Sequence, residues 1–327
     1  MLTGAGFTKN FGGFLASEMW AQIHNRLQRS NEKPVKLLIK DEFDYEKIFE
    51  ELVKGGKYSG EQKDTVNNSF LEAYKFMDQI ICMEEALYGG KHYIDTNGIR
   101  EFLKGFSNNR REPGFFFTLN QDIVFERYFR REVRFAVPGF IRYINADTID
   151  INNTPFSDSW CIDAPTEQVL AQKKDKMNWQ NERFYYIKLH GSFHWKDSER
   201  RNMMVIGTSK EEDIEKEPIL RWYKNIFENV LSMPDCRLLI IGYGFRDQHI
   251  NKVIVNSIKD NGLKLFIICP VDPEKFKNDT LKNTGSDNKK IIWEAVSGYY
   301  PYTIRTIFPF HKHPTPQHIQ LKNDFFQ

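Results

Sequence analysis

The sequence predicts an α/β protein: a Rossmann-like parallel sheet flanked by helices. Three observations carry that expectation. Several short stretches, among them "GFFFTLNQD", "FYYIKLHG", "RLLIIGYGF" and "LKLFIICP", contain apolar runs of strand length with no polar face, as strands buried on both sides do. Segments with apolar residues at helical spacing lie between them. A glycine turn or a polar cluster follows most of the runs, and the 237–270 stretch reads strand, glycine turn, helix, strand. That is a βαβ unit, for which a right-handed crossover in a parallel sheet is expected.

In chain order, "MLTGAGFTKNFGGF" gives a strand of two or three residues running into Gly4-Ala5-Gly6. A helix is expected next, with Phe11, Leu15, Met19, Ile23 and Leu27 spaced by four. Residues 44–106 carry three helical stripes: Tyr45, Ile48, Phe49 and Leu52, then Phe70, Tyr74, Met77 and Ile81, then Ile99, Phe102, Leu103 and Phe106. Polar and glycine clusters at 55–64 and 89–98 separate them. Phe115–Thr118 is a buried strand ending in Asn120 and Asp122, with a short helix from Ile123. Residues 145–182 are polar and irregular, a surface excursion, and 196–217 are charged and loop-rich. Pro218 suits the first turn of a helix carrying Ile219, Trp222, Tyr223, Ile226, Phe227 and Val230. After Gly242-x-Gly244, Asp247 is placed to N-cap a helix with Ile250, Val253, Ile254 and Ile258 inward, which Gly262 ends. The organisation expected is one domain over 1–327, with residues 40–110 as a helical insertion forming a smaller lobe.

Composition narrows the function. With 46 basic and 44 acidic residues the chain has a net charge of +2, so no global field draws in nucleic acid or membrane, and direct nucleic-acid binding is not expected. No apolar run has the length of a membrane span and no secretory signal is visible, which makes the cytoplasm the default location. Four cysteines, Cys82, Cys161, Cys236 and Cys269, include no C-x-x-C pair, so the pattern of a zinc ribbon is missing and no metal is expected.

In an open parallel sheet, ligands bind beyond the carboxyl ends of the strands. Four such ends carry polar or glycine-rich features, and each has a plain alternative. Gly4-x-Gly6 allows close approach to a pyrophosphate, or is simply a tight strand-to-helix turn; Lys9 stands where a full G-x-G-x-x-G would place a third glycine. Gly242-Tyr243-Gly244 has the same two readings. Asp247 suits a ribose hydroxyl, though N-capping alone explains it. Asn120 and Asp122 make either an Asx turn or ligand contacts. His190 ends an apolar strand, either as a packed ring or as a base, and His194 and Trp195 are expected to pack or line a loop. Coincidence of the four at strand ends favours a dinucleotide crevice.

Taken together and in order, "GAGFT", "TLNQD", "LHGS" and "IIGYGFRDQHIN" resemble the sirtuin family, the last stretch most of all the divergent sirtuin-like, NAD+-consuming domains of bacterial anti-phage defence systems. By that resemblance Gly4, Ala5, Gly6, Phe7 and Thr8 match the pyrophosphate loop. Asn120 and Asp122 match the pair beside the nicotinamide ribose, and His190 matches the catalytic histidine. Gly242, Tyr243 and Gly244 match the loop under the adenosine ribose, with Asp247 beside it, and Asp272 sits after the last sheet strand on the adenine side. Two departures matter. Residues 193–235 lack the four zinc-binding cysteines of protein-deacylating sirtuins, and "FTKNFGG" lacks the proline-aspartate-phenylalanine-arginine stretch of their first loop.

The resemblance implies an NAD+ glycohydrolase that releases nicotinamide and ADP-ribose from NAD+ as substrate, without a metal, serving as a defence effector. Asn120 would place the attacking water, His190 would accept a proton with a pKa near neutrality, and Asp122 would orient Asn120 or a ribose hydroxyl. An NAD+-dependent protein deacylase or ADP-ribosyltransferase is the alternative, together with a non-catalytic NAD+ or ADP-ribose-binding subunit. Partners implied are further copies of the chain and a subunit acting in trans, such as a HerA-type DNA-translocating ATPase; no P-loop lysine motif is present in this sequence.

Overall fold

The computed structural model describes residues 1–29, 33–87, 94–107, 113–133, 135–140, 143, 154–174, 183–310 and 314–327. Six strands form an entirely parallel sheet: β1 (Leu2–Thr3), β2 (Gly114–Thr118), β4 (Phe184–Lys188), β7 (Arg237–Ile241), β8 (Lys264–Ile268) and β9 (Val296–Tyr300), in the order β4-β2-β1-β7-β8-β9. A second sheet, β3-β5-β6, joins β3 (Ile162–Asp163), β5 (Gly191–Lys196) and β6 (Asn202–Met204). The α/β class and the central parallel sheet expected from the sequence are therefore present.

The apolar runs become strands because both their faces are covered. Phe116, Phe117, Phe184, Ile187, Leu239 and Ile267 are all buried, and helices Pro218–Leu231 and Gln248–Asn261 supply apolar faces to the same core. Pro218 stands in the first turn of its helix. Gly262 closes the other with φ +68°, a left-handed conformation that glycine adopts without a Cβ penalty.

Strand order fixes where a ligand can sit. Strands β2 and β4 step away from β1 on one side, while β7, β8 and β9 step away on the other. The order reverses at β1, and the crevice of such a sheet opens at the carboxyl ends of the strands flanking that reversal. The Gly4, Asn120 and Gly242 turns all leave strands at this point.

Four expectations change. The first helix does not run unbroken through Phe11 and Leu15: a short helix Ala5–Lys9 ends before Gly12, whose φ is +91°, and a second helix spans Ala16–Leu27. There the Glu18 carboxylate accepts from the Leu15 N–H at 2.8 Å. Residues 196–217 are not mainly loop but include β6 and helix Lys210–Lys216. Strand β9 lies beyond β8, so Asp272 does not follow the last sheet strand. His194 and Trp195, expected to pack or line a loop, do pack: both lie buried within β5. Of the irregular stretch expected at 145–182, residues 145–153 and 175–182 lie outside the described residues; between them are a 3-10 turn, β3 and helix Glu167–Lys174. Residues 89–93 of the polar cluster at 89–98 also lie outside them.

Within 44–106, helices Tyr45–Phe49, Gly60–Leu87 and Thr96–Lys104, with the π-helical turn Glu50–Lys54, carry the three expected stripes, whose residues are buried except for half-buried Tyr45, Phe49 and Phe106. Polar bonds tie these helices to the sheet side. Arg127 makes two hydrogen bonds to Asp78 at 2.8 and 2.6 Å, Tyr74 donates to Gln121 at 2.5 Å, and Lys210 pairs with Glu46 at 2.8 Å. No helix among the described residues is long and apolar enough to cross a membrane.

Candidate functional site

The first two glycine turns meet each other. A Cβ on Gly4 would lie 2.7 Å from Gly242 O, one on Gly6 2.7 Å from Gly242 Cα, and one on Gly242 2.4 Å from Gly6 C. Gly242 also has φ +64°. Backbone contact between the β1 and β7 turns therefore requires these three glycines, and the Gly6 N–H is spent on Gly242 O at 3.0 Å. The Phe7 N–H goes to Gly4 O at 2.9 Å and its ring packs on Phe11, which leaves exposed Ala5 at the outer face of the turn. Gly244 is different: nothing lies within 4 Å of its missing Cβ, so it lines open space.

Thr8 links the β1 turn to the end of β2. Its hydroxyl donates to Asp122 Oδ2 at 2.8 Å and accepts from Asn120 Nδ2 at 2.9 Å. Asn120 Nδ2 also donates to Gly4 O at 2.9 Å. Two acceptors on one side fix the amide's orientation and leave Oδ1 out of every hydrogen bond among the described residues. Asn120 is half-buried just after β2, so this oxygen is a fixed acceptor at the carboxyl end of the strand.

Asp122 is used up internally. Its second oxygen accepts from the Val124 N–H at 3.0 Å, which is the Asx-turn reading of this residue. Burial pushes its carboxyl up, opposed by the Lys188 ammonium and by the two hydrogen bonds. Asp122 thus holds Asn120 through Thr8, each of its oxygens already accepting one hydrogen bond. Beneath it Lys188, fully buried, donates to Asp122 O and to Glu126 Oε1, the latter at 3.1 Å. Tyr143 and Tyr186 donate to the same Glu126 carboxylate.

His190 follows β4, and Gly191 behind it has φ +72° with its absent Cβ 2.3 Å from Met203 O, so only glycine suits the next position. The His190 ring is 3 % exposed, and its Nε2 lies 3.0 Å from His249 Nε2. Burial lowers the His190 pKa to about 3, against the opposing charge of Asp247, and lowers His249 to about 4. A pKa near neutrality, as the residue type alone suggests, does not hold here.

Asp247 begins helix Gln248–Asn261 in N-cap position but caps nothing with its side chain. Its carboxylate instead pairs with Lys210 at 2.6 Å. Burial acts to raise the Asp247 pKa, yet its coupling to His190, as that ring takes up a proton, and the Lys210 charge prevail and lower it. Tyr243 is buried, with its hydroxyl on Asn251 Oδ1 at 2.9 Å, so its side chain belongs to the loop and not to the crevice. Exposed Asp272 caps a short helix, accepting from the Glu274 and Lys275 N–H groups.

His190, Asp247 and His249 each place a ligand-type atom within 4.8 Å of the others, a spacing that could accept a divalent cation. A metal-free site is therefore not a consequence of the side chains alone. Lys210 already brings a positive charge into this cluster, which weighs against a second cation there. The four cysteines form no disulfide, and none lies between 193 and 235, so the four-cysteine set of a zinc ribbon is missing there.

The sequence reading missed Lys188, Glu126, Lys210 and His249. The first three act through partners dozens of residues away, which no local motif encodes. His249 stood inside the quoted "IIGYGFRDQHIN", two residues after Asp247.

Glycine turns and polar side chains at the switch point of a parallel sheet define an α/β protein of the nucleotide-binding class. The family model of the SIR2-like domain matches residues 114–288, more than half of the chain, and the chain belongs to that family. SIR2-like domains as a class use NAD+ as a substrate. The match begins at β2, so the Gly4–Thr8 turn takes its place in the site from the pairing of β1 with β2 and β7. No curated protein matches the sequence.

Proposed function

We propose that the chain is an NAD+ glycohydrolase. One observation carries this reading: Asn120 is locked by Gly4 and Thr8 with its Oδ1 open, at the carboxyl end of β2 in the same sheet whose far strand end bears His190. A hydrolase of the nicotinamide–ribose bond needs such a fixed acceptor for water or a ribose hydroxyl. Acyl-lysine deacylation would need a peptide groove and, in the sirtuins that do it, a zinc ribbon, whose four-cysteine set is missing between residues 193 and 235.

In the reaction, the C1′–N bond breaks with its electron pair leaving on nicotinamide, and positive charge grows on the ribose ring. Asn120 Oδ1 accepts from the incoming water and aims its oxygen at C1′. Forming the C1′–O bond releases one proton, which His190 takes and passes to solvent. His190 is neutral at physiological pH, so its ring can accept once Nε2 is released from His249, though its low pKa makes it a weak base. Growing ribose charge compensates, because it acidifies the attacking water. Products are nicotinamide, ADP-ribose and one proton. Ala5 and Gly244 offer bare backbone for the pyrophosphate and ribose, and Asp122 keeps Asn120 in place through Thr8.

The anti-phage setting, in which NAD+ loss halts an infected cell, is part of this proposal. So are the cytoplasmic location, the homo-oligomer, and a partner such as a HerA-type ATPase that restrains or triggers the activity. The test is NAD+ loss and nicotinamide release by purified protein beside Asn120→Ala and His190→Ala, with and without an acyl-lysine peptide. Peptide-independent ADP-ribose formation, lost in both variants, is expected. Turnover only with peptide would overturn the hydrolase in favour of a deacylase.

A further inference from the structure

The stretch 248–251 contains a buried histidine that the proposed reaction does not use. His249 sits in the first turn of helix Gln248–Asn261, 8 % exposed, directly after the β7 turn that borders the crevice. Its Nε2 is 3.0 Å from His190 Nε2, with the ring planes at 45°. Two imidazole nitrogens at that distance share one proton; both bare or both protonated would be repulsive. By geometry alone either ring can be the donor. A base at His190 needs a bare nitrogen, so the arrangement that bears on the reaction has His190 protonated on Nδ1 and His249 Nε2–H donating to its Nε2.

A neutral imidazole has one lone pair, and in that tautomer it is taken. We propose that His249 is a further residue of the substrate site: its Nε2–H occupies the lone pair of His190 that a substrate hydroxyl or the attacking water must use, so dinucleotide binding displaces it. This inference rests on the NAD+ reading of the site. Surroundings favour a His249 that can be dislodged without leaving a charge unpaired. Asp247, beside it in the chain, is satisfied by Lys210, which Glu46 in turn holds at 2.8 Å. His249 itself therefore carries none of the ion pairing, and its ring nitrogen has the His190 lone pair as its partner.

The test uses the full chain labelled with 15N-histidine, in which the eight histidines give a tractable set of ring signals. Wild-type protein is expected to show His190 as the Nδ1–H tautomer with a hydrogen-bonded Nε2. NAD+ should then move the ring signals of both His190 and His249. Calorimetry should give about fivefold tighter NAD+ binding for His249→Ala, the factor that one net hydrogen bond is worth, and near wild-type affinity for His249→Gln, whose amide can still donate. Three results would overturn the proposal: a His190 protonated on Nε2, weaker NAD+ binding in His249→Ala with the His190 signal unchanged, or stoichiometric Zn²⁺ binding that shifts both rings together. Lack of NAD+ binding in every variant refutes the dinucleotide reading and the competition with it. The histidine pair itself is then judged on the tautomer signal, so the two failures are distinguishable.

Discussion

Acidification should unfold this protein through its buried histidines, by an amount the structure sets. His190 and His249 have folded pKa values of about 3 and about 4 against an ordinary 6.5. Both are depressed, so the unfolded chain takes up these protons first and stability falls as pH drops below about 6.5. Between pH 7.5 and 5 each ring costs about 2 kcal/mol, and the full His190 shift, reached near pH 3, corresponds to about 5 kcal/mol. Other groups facing His190 are Asp247 and Lys210, while Asp122 and Glu46, whose pKa values are raised, act in the opposite sense as pH falls. A difference between variants removes these common contributions. Urea unfolding at pH 7.5 and 5 should show wild type losing about 2 kcal/mol more than His190→Gln over that interval. Equal losses in both proteins would refute the claim that the ring is buried and neutral.

Three further outcomes are expected. Asn120→Ala should lower nicotinamide release by at least about 100-fold while NAD+ affinity by calorimetry stays within about threefold, since the residue positions and does not anchor. Lys188→Met strands the buried Glu126 carboxylate and should cost about 3–5 kcal/mol in urea unfolding, with a large part recovered in Lys188→Met/Glu126→Gln. Gly191→Ala forces a Cβ to 2.3 Å from Met203 O at φ +72° and should cost at least about 2 kcal/mol, read as a lowered melting temperature.

What the sequence made legible is what one stretch of chain decides by itself. Doubly buried strands announce themselves as unbroken apolar runs, and β2, β4, β7 and β8 did so. Strand β9 did not, because "VSGYY" is an edge strand with mostly half-exposed residues and no such run. Gly12 broke the first helix against its own periodicity, since five apolar residues at the right spacing do not outweigh a backbone that turns at φ +91°. At the site, Asn120 and His190 were visible as strand-end residues. Their constraints were not: Thr8 reaches Asp122 across 114 residues of chain, and Lys188 reaches Glu126 across 62. Asp247 shows the limit most plainly. Its position is that of a cap, and only the arrival of Lys210 from another helix diverts the carboxylate.

Gly4, Gly6 and Gly242 touch backbone to backbone across two turns that are more than two hundred residues apart in the chain. Neither turn can be exchanged for that of a relative without its counterpart, because any side chain on one face collides with the peptide of the other. In a chimera the two turns behave as a single cassette, and a crossover placed between residues 7 and 241 succeeds only if both donors bear glycine at all three positions. Recombination among homologues would thus inherit this pocket whole or lose it.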